Sequence, residues 1–144
     1  MNKLIELGFE KYREINEEIK ELFFQSTGYK ISNCFWDFIE HRQSQNIVFG
    51  YSFINSQSHE EWEGQIESWI FDEFDNLEEI CSSTINLLSR VFLPIANDAG
   101  GNYIYIEISK PNQPVVDVSY STGVISEISS SFEEFLDKIY PYDE

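Results

Sequence analysis

Basic residues are scarce in this chain. Nine Lys and Arg stand against 26 Asp and Glu in 144 residues, a formal net charge of −17. A field of that sign repels nucleic acid and anionic membranes and draws in cationic partners. Long apolar runs are also lacking: none approaches the roughly 20 residues of a membrane span. The opening Met1–Glu10 carries Glu6 and Glu10 where a secretory leader needs an unbroken apolar stretch. A soluble, cytosolic protein is expected. Cys34 and Cys81 are the only cysteines, far apart and set among apolar residues, which suits small buried thiols better than a disulfide framework.

The residues that could carry chemistry are equally sparse. His41 beside Arg42 and His59 in Ser-Gln-Ser-His-Glu-Glu have nothing around them to complete a Cys/His ligand spacing and read as surface histidines. The carboxylates from Glu60 to Glu79 show neither the alternating ligands of a calcium loop nor a pair held at the separation that acid/base catalysis needs. Gly100-Gly101 lead into a strand-like run rather than a helix, so they read as a turn and not as a phosphate cradle. No catalytic group, metal or cofactor is expected.

What the chain does have is apolar mass. Hydrophobic residues make up 42% and aromatics 16%, so its acidity does not signal disorder. Its length suits one domain, 1–144, able to bury roughly 70% of the surface exposed in the unfolded chain. The clearest stretch is Val91–Ile108. An apolar run to Ala96, a polar turn over Asn97–Asn102 and the run Tyr-Ile-Tyr-Ile-Glu-Ile read as two strands and a tight connection. Pro94, with no amide hydrogen for a ladder, suits an edge or irregular position. Alternation puts Tyr103 and Tyr105 on one side of the second strand and Ile104, Ile106 and Ile108 on the other.

Elsewhere, apolar steps of three and four from Ile5 to Phe23 predict one helix over Lys3–Phe24, with Gly28 as its stop. Cys34–Ile39 is too densely apolar for periodicity to choose a helix or a strand. Ile47–Ile54 has strand composition, with Gly50 as a bulge. Asn55–Gly64 reads as a polar loop and Trp69-Ile70-Phe71 as a short strand, Trp69 in the core and Trp62 either core or binding surface. Asp75-Asn76 opens a second predicted helix that runs to about Ser89 on Leu77, Ile80, Cys81, Thr84, Leu87 and Leu88. Pro111–Pro114 and Tyr120–Gly123 are turns flanking a strand at Val115–Ser119. Ser131 with Glu134 predicts a capping box for a last helix that buries Phe132, Phe135, Leu136 and Ile139.

The order Leu93-Pro-Ile-Ala96, Asn97-Asp-Ala-Gly-Gly-Asn102, strand, strand and a terminal Ser131-Phe-Glu-Glu-Phe-Leu136 helix resembles the SUKH superfamily over about Asn76–Ile139. That superfamily includes a yeast cell-wall synthesis regulator and many bacterial immunity proteins that neutralise polymorphic or contact-dependent toxins. The resemblance implies an α+β fold, mostly an antiparallel sheet with helices packed around it, and no catalytic apparatus. Runs of strands with short turns and helices at both ends point independently to the same class.

The function expected from this resemblance is an immunity protein for a cognate toxin from its own genome, basic in character and a nuclease in one version. A regulatory module with a non-toxin partner is the first alternative, and an enzyme using the Asp/Glu cluster the second. The expected assembly is a monomer or weak dimer without nucleic-acid or membrane partners. Two surfaces compete for the protein partner. One is the acidic segment of Glu60, Glu61, Trp62, Glu63, Asp72, Glu73 and Asp75; the other is the face of Tyr103 and Tyr105.

Overall fold

The computed structural model describes residues 2–44, 47–73, 77–119 and 121–142, with backbone alone at 2, 72, 73, 77 and 78. The chain begins with α1 (Asn2–Glu6), β1 (Phe9–Lys11), α2 (Glu17–Thr27), α3 (Asn33–Ile39), β2 (His41–Gln43), β3 (Phe49–Ile54) and β4 (Glu61–Trp69). Two 3₁₀ segments, Ile70–Glu73 and Leu77–Ser82, lead to β5 (Ile85–Leu87), β6 (Arg90–Asp98), β7 (Tyr103–Glu107), β8 (Val115–Val118) and β9 (Ile125–Ser129). Helix α4 (Phe132–Lys138) and the short β10 (Tyr140–Pro141) follow. The main sheet is antiparallel with the order β10-β3-β4-β6-β7-β8-β9, and β5 joins β6 beside it; β1 and β2 form a separate ribbon.

The single helix expected over 3–24 is two helices and a strand. Gly8, at φ +89°, breaks the first after Glu6. Phe9–Lys11 then pairs with Gln43–His41, and Asn16 restarts the chain as an N-cap whose side chain accepts the Ile19 N–H at 3.0 Å. The apolar residues therefore never share one face, and Ile5, Tyr12 and Leu22 are exposed. Gly28 does stop α2, at φ +82° with its N–H on the Phe24 carbonyl at 2.8 Å.

The helix expected over 75–89 is a 3₁₀ segment followed by strand β5. Ser82 and Ser83 hydroxyls donate to the Glu79 and Ile80 carbonyls, which a continuing α-helix would need. The Asp75-Asn76 start lies outside the described residues. Strand β4 absorbs the second half of the expected loop, leaving 55–60 as the connection, and Trp69 ends that strand instead of opening one. Gly50 is no bulge. It pairs in register with Gln65, and a Cβ there would stand 2.8 Å from the ring of Tyr140 on β10.

The Val91–Ile108 hairpin forms as read. Pro94 sits where β4 has ended opposite Ala96 and β5 has not begun before Phe92, and the β6–β7 register shifts between Pro94 and Ala96. The Asp98 carboxylate accepts the Gly100 and Asn102 N–H groups at 2.9 and 2.8 Å, which closes the turn. Opposite, α4 is capped by Ser131, whose hydroxyl accepts the Glu134 N–H at 3.1 Å. Glu134 reaches back to the N–H and hydroxyl of Ser130, so the box closes one residue upstream of the expected place.

Helices α3 and α4 and strand β1 pack on the inner face of the sheet through rings, and α1 adds Leu4 to the same core. Phe38 meets Trp69 and Phe132 at 5.0 and 5.1 Å, Phe35 meets Phe71 and Phe132 at 5.3 and 5.4 Å, and Phe9 meets Phe49 at 5.8 Å. Phe132, Phe135, Leu136 and Ile139 are all buried there, with Trp69 in the same core. The sheet curls until β9 lies near β3. Ser56, just past β3, donates its hydroxyl to the Ile125 carbonyl and its N–H to Ser126 Oγ, while Lys138 Nζ donates to the Ile128 carbonyl.

Candidate functional site

With the helices on the inside, the outward side of β5–β8 carries a strip of partly exposed side chains over buried Phe92, Glu107 and Val116. Register sets Phe92 opposite Ile85 and Glu107, and Arg90 opposite Leu87; Tyr105 lies opposite Pro94 and Val116, and Tyr103 opposite Asn97 and Val118. All of these alternate with the buried Leu93, Ile104, Ile106 and Val115. Tyr103 and Tyr105 share the outer face, their ring centroids 6.0 Å apart, and Tyr105 meets Phe92 at 5.8 Å. Tyr103 is 42% exposed, and Ile85 and Leu87 at the far end are 43% and 44% exposed. Burial, and next to it the neighbouring Tyr103, pushes the Tyr105 hydroxyl above its ordinary range, so it stays a neutral donor at physiological pH.

An ion pair floors this strip. Arg90 lies over the Phe92 ring at 5.2 Å and donates from Nε and Nη2 to the two carboxylate oxygens of Glu107, each at 2.8 Å. Glu107 is 1% exposed, and Lys110 Nζ is 3.7 Å from it. The hydrogen bonds from Arg90 hold its carboxyl below the usual range against the pull of burial. At the end of the same face the β5–β6 connection turns on Leu88 and Ser89, at φ +52° and +67°. Neither is glycine, and Leu88 is 89% exposed. The Ile85-Asn-Leu87 alternation ahead of Arg90 was the sequence signal for this hairpin, masked by an equally good helical spacing.

The acidic segment is not one cluster. Glu60 precedes β4 and is exposed, as are Glu61, Trp62 and Glu63 on the strand. Trp62 pairs with Phe53 and approaches its ring at 6.3 Å, on the side of the sheet that carries Tyr51. Glu61 and Glu63, opposite Ile54 and Ser52, point the other way, so the acids do not surround the tryptophan. They lie on the same outward side as the tyrosines, two strands away, with β6 between. Asp72 and Glu73 are described only as backbone of the first 3₁₀ segment, and Asp75 lies outside the described residues.

Among the described residues no group of three or more His, Cys, Asp or Glu is placed to hold a metal ion, and no helix is long and apolar enough to cross a membrane. The outer face offers ring surfaces, hydroxyl donors and a neutralised ion pair, an arrangement suited to contact with another macromolecule. No curated protein and no solved structure matches the chain. The sequence model of the SMI1 / KNR4 family (SUKH-1) matches residues 10–138, taking in every strand of the main sheet except β10 and all of the tyrosine face. The chain thus belongs to the SMI1 / KNR4 family (SUKH-1), with the mostly antiparallel α+β fold that the resemblance implied.

Proposed function

We propose that this protein is an immunity protein that binds a cognate, basic protein toxin and holds it inactive, and that the tyrosine face is its contact surface. Family membership supports a role of this kind, since the superfamily includes toxin-neutralising proteins. The observation that carries the choice of surface is the strip of exposed Tyr103, partly buried Tyr105 and the half-exposed Ile85 and Leu87, with buried Phe92 beneath Arg90 between them, on a chain of net charge −17. Aromatic side chains backed by a fixed ion pair are the anchors that set residence time. The long-range acidic field, with Glu60, Glu61 and Glu63 contributing, sets the encounter rate with a cationic partner. A nuclease is such a partner, because its active site must itself attract phosphates.

The test uses the product of the gene beside this one. Co-expression with this chain should relieve that product's toxicity, and the purified pair should bind. Tyr103→Ala combined with Tyr105→Ala should speed dissociation tenfold or more, about 1.4 kcal/mol, with little loss of folding. A neighbouring toxin that acts undiminished refutes the function; neutralisation with an unchanged off-rate in the double variant refutes the surface.

A further inference from the structure

Behind the sheet, away from the outer face, three polar groups meet in the closed end of the curl. Tyr51, 0% exposed on β3, has its hydroxyl 3.0 Å from Asp117 Oδ2 on β8 and 3.2 Å from Asp98 Oδ2 at the end of β6. Both aspartates are themselves buried. The ring is fixed: a Cβ on Gly64 of β4 would stand 2.4 Å from Tyr51 Cζ. Strand β9 places uncharged Ser126 opposite Asp117. Neither carboxylate makes an ion pair among the described residues.

The hydrogen count does not close with both acids ionised. A phenol has one proton to donate, and it faces two carboxylate oxygens that have none. Whichever oxygen loses stands at hydrogen-bond distance from the phenol oxygen with no hydrogen between them. The count closes when one acid is neutral, for its proton can then be given to the phenol oxygen while the phenol gives its own to the other carboxylate. The two acids are not equivalent. Asp98 already accepts the Gly100 and Asn102 N–H groups, whereas the Tyr51 hydroxyl is the partner of Asp117 among the described residues.

We propose that Asp117 carries a second, exchangeable proton in this triad, so that the chain Asp117–Tyr51–Asp98 is a proton-dependent clasp joining β8 and β3 to the β6–β7 turn. With the proton bound, one hydrogen lies on each of the two contacts, Asp117 Oδ2 to the phenol oxygen and the phenol oxygen to Asp98 Oδ2, and the turn that leads into Tyr103 is held from behind. With it lost, two buried carboxylates compete for one phenol proton and the clasp slackens. The direction of titration agrees. Burial, together with the charge of Asp98, pushes the Asp117 carboxyl up to about 6 in spite of the opposing hydrogen bond from Tyr51. A carboxyl raised on folding stabilises below its ordinary range, near 4, and that stabilisation drains away as pH rises to about 6.

The experiment is a ¹³C NMR titration of the Asp117 carboxyl in the whole chain, with thermal unfolding of the native protein and Asp117→Asn between pH 4 and 7. The side-chain amide in that variant would donate to the phenol oxygen at every pH, with no exchangeable carboxyl proton needed. The Asp117 carbon should titrate near 6, and the native folding constant should fall roughly fiftyfold relative to the variant across the range. Amide protection at Gly100 and Asn102, corrected for intrinsic exchange, should be greater at pH 5 than at pH 7. An Asp117 carbon that titrates near 4, or a variant with the native pH dependence, overturns the shared proton. Unchanged protection overturns its link to the turn. Should Asp117→Asn fail to fold, the carboxyl titration of the native chain decides alone.

Discussion

Arg90→Ala is the most informative single change on the outer face. It removes both 2.8 Å hydrogen bonds to a glutamate that is 1% exposed and strips the cation from the Phe92 ring. Removing one member of a buried pair costs about 3–5 kcal/mol, because the survivor is an uncompensated buried charge. Here Lys110 remains 3.7 Å away and the Arg90 side chain is itself 36% exposed, so a cost below that range, about 2–3 kcal/mol, is expected. The pH dependence follows from the direction of the Glu107 shift. Its carboxyl is held low, so in the native protein the pair stabilises above the ordinary carboxylate range and fails only as pH falls below it. In Arg90→Ala the carboxyl rises instead, and the loss should be largest near neutrality and shrink as acid protonates Glu107. Urea unfolding followed by tryptophan fluorescence at pH 4.5 and 7 measures both. Arg90→Met with Glu107→Gln should recover much of the loss, since no buried charge is left. A cost below about 0.5 kcal/mol, or one equal at both pH values, would mean that the pair does not support the face.

Phe135, fully buried on α4, should cost about 3–5 kcal/mol when replaced by Ala; a denaturation shift worth less than about 1 kcal/mol would place the last helix outside the core. Replacing Glu60, Glu61 and Glu63 together by Gln should slow association with the proposed basic partner at low salt and hardly at 1 M, where the Debye length is about 3 Å; an unchanged on-rate at low ionic strength rules out an acidic rim. A chelator should leave the melting temperature where it is, and a fall of several degrees would reveal a metal that the patterning gives no reason to expect.

The legible parts of this fold were those in which local chemistry and tertiary context agree. The Val91–Ile108 hairpin, with its β-branched alternation and Gly-Gly turn, and the Ser131 helix, with cap and apolar stripe in phase, form as their residues suggest. The failures share a cause. From Ile5 to Phe23 and from Leu77 to Leu88 a helical spacing of apolar residues was present, but backbone choices at single residues overrode it: Gly8 in the left-handed region, Asn16 as a cap, Ser82 and Ser83 capturing carbonyls. Strands β1, β2, β5 and β10 are two or three residues long and exist because a neighbour pairs with them, which no local pattern announces. Of the candidate site, Tyr103 and Tyr105 were readable from strand alternation alone. That Glu61 and Glu63 turn their backs on Trp62 required the β3–β4 register, and the Arg90–Glu107 pair required knowing that β6 lies beside β7.

The side-chain ties between the two ends of the curl bear on how this protein behaves at high concentration. A sheet edge normally offers free carbonyls and amides that template growth by further chains. On β9 the Ile125 and Ile128 carbonyls are already taken, by the Ser56 hydroxyl and the Lys138 ammonium, and at the other margin β10 ends in Pro141, which has no amide to offer. Fibrillar stacking therefore finds little purchase at either margin, so the chain can expose rings on its face without a matching tendency to polymerise.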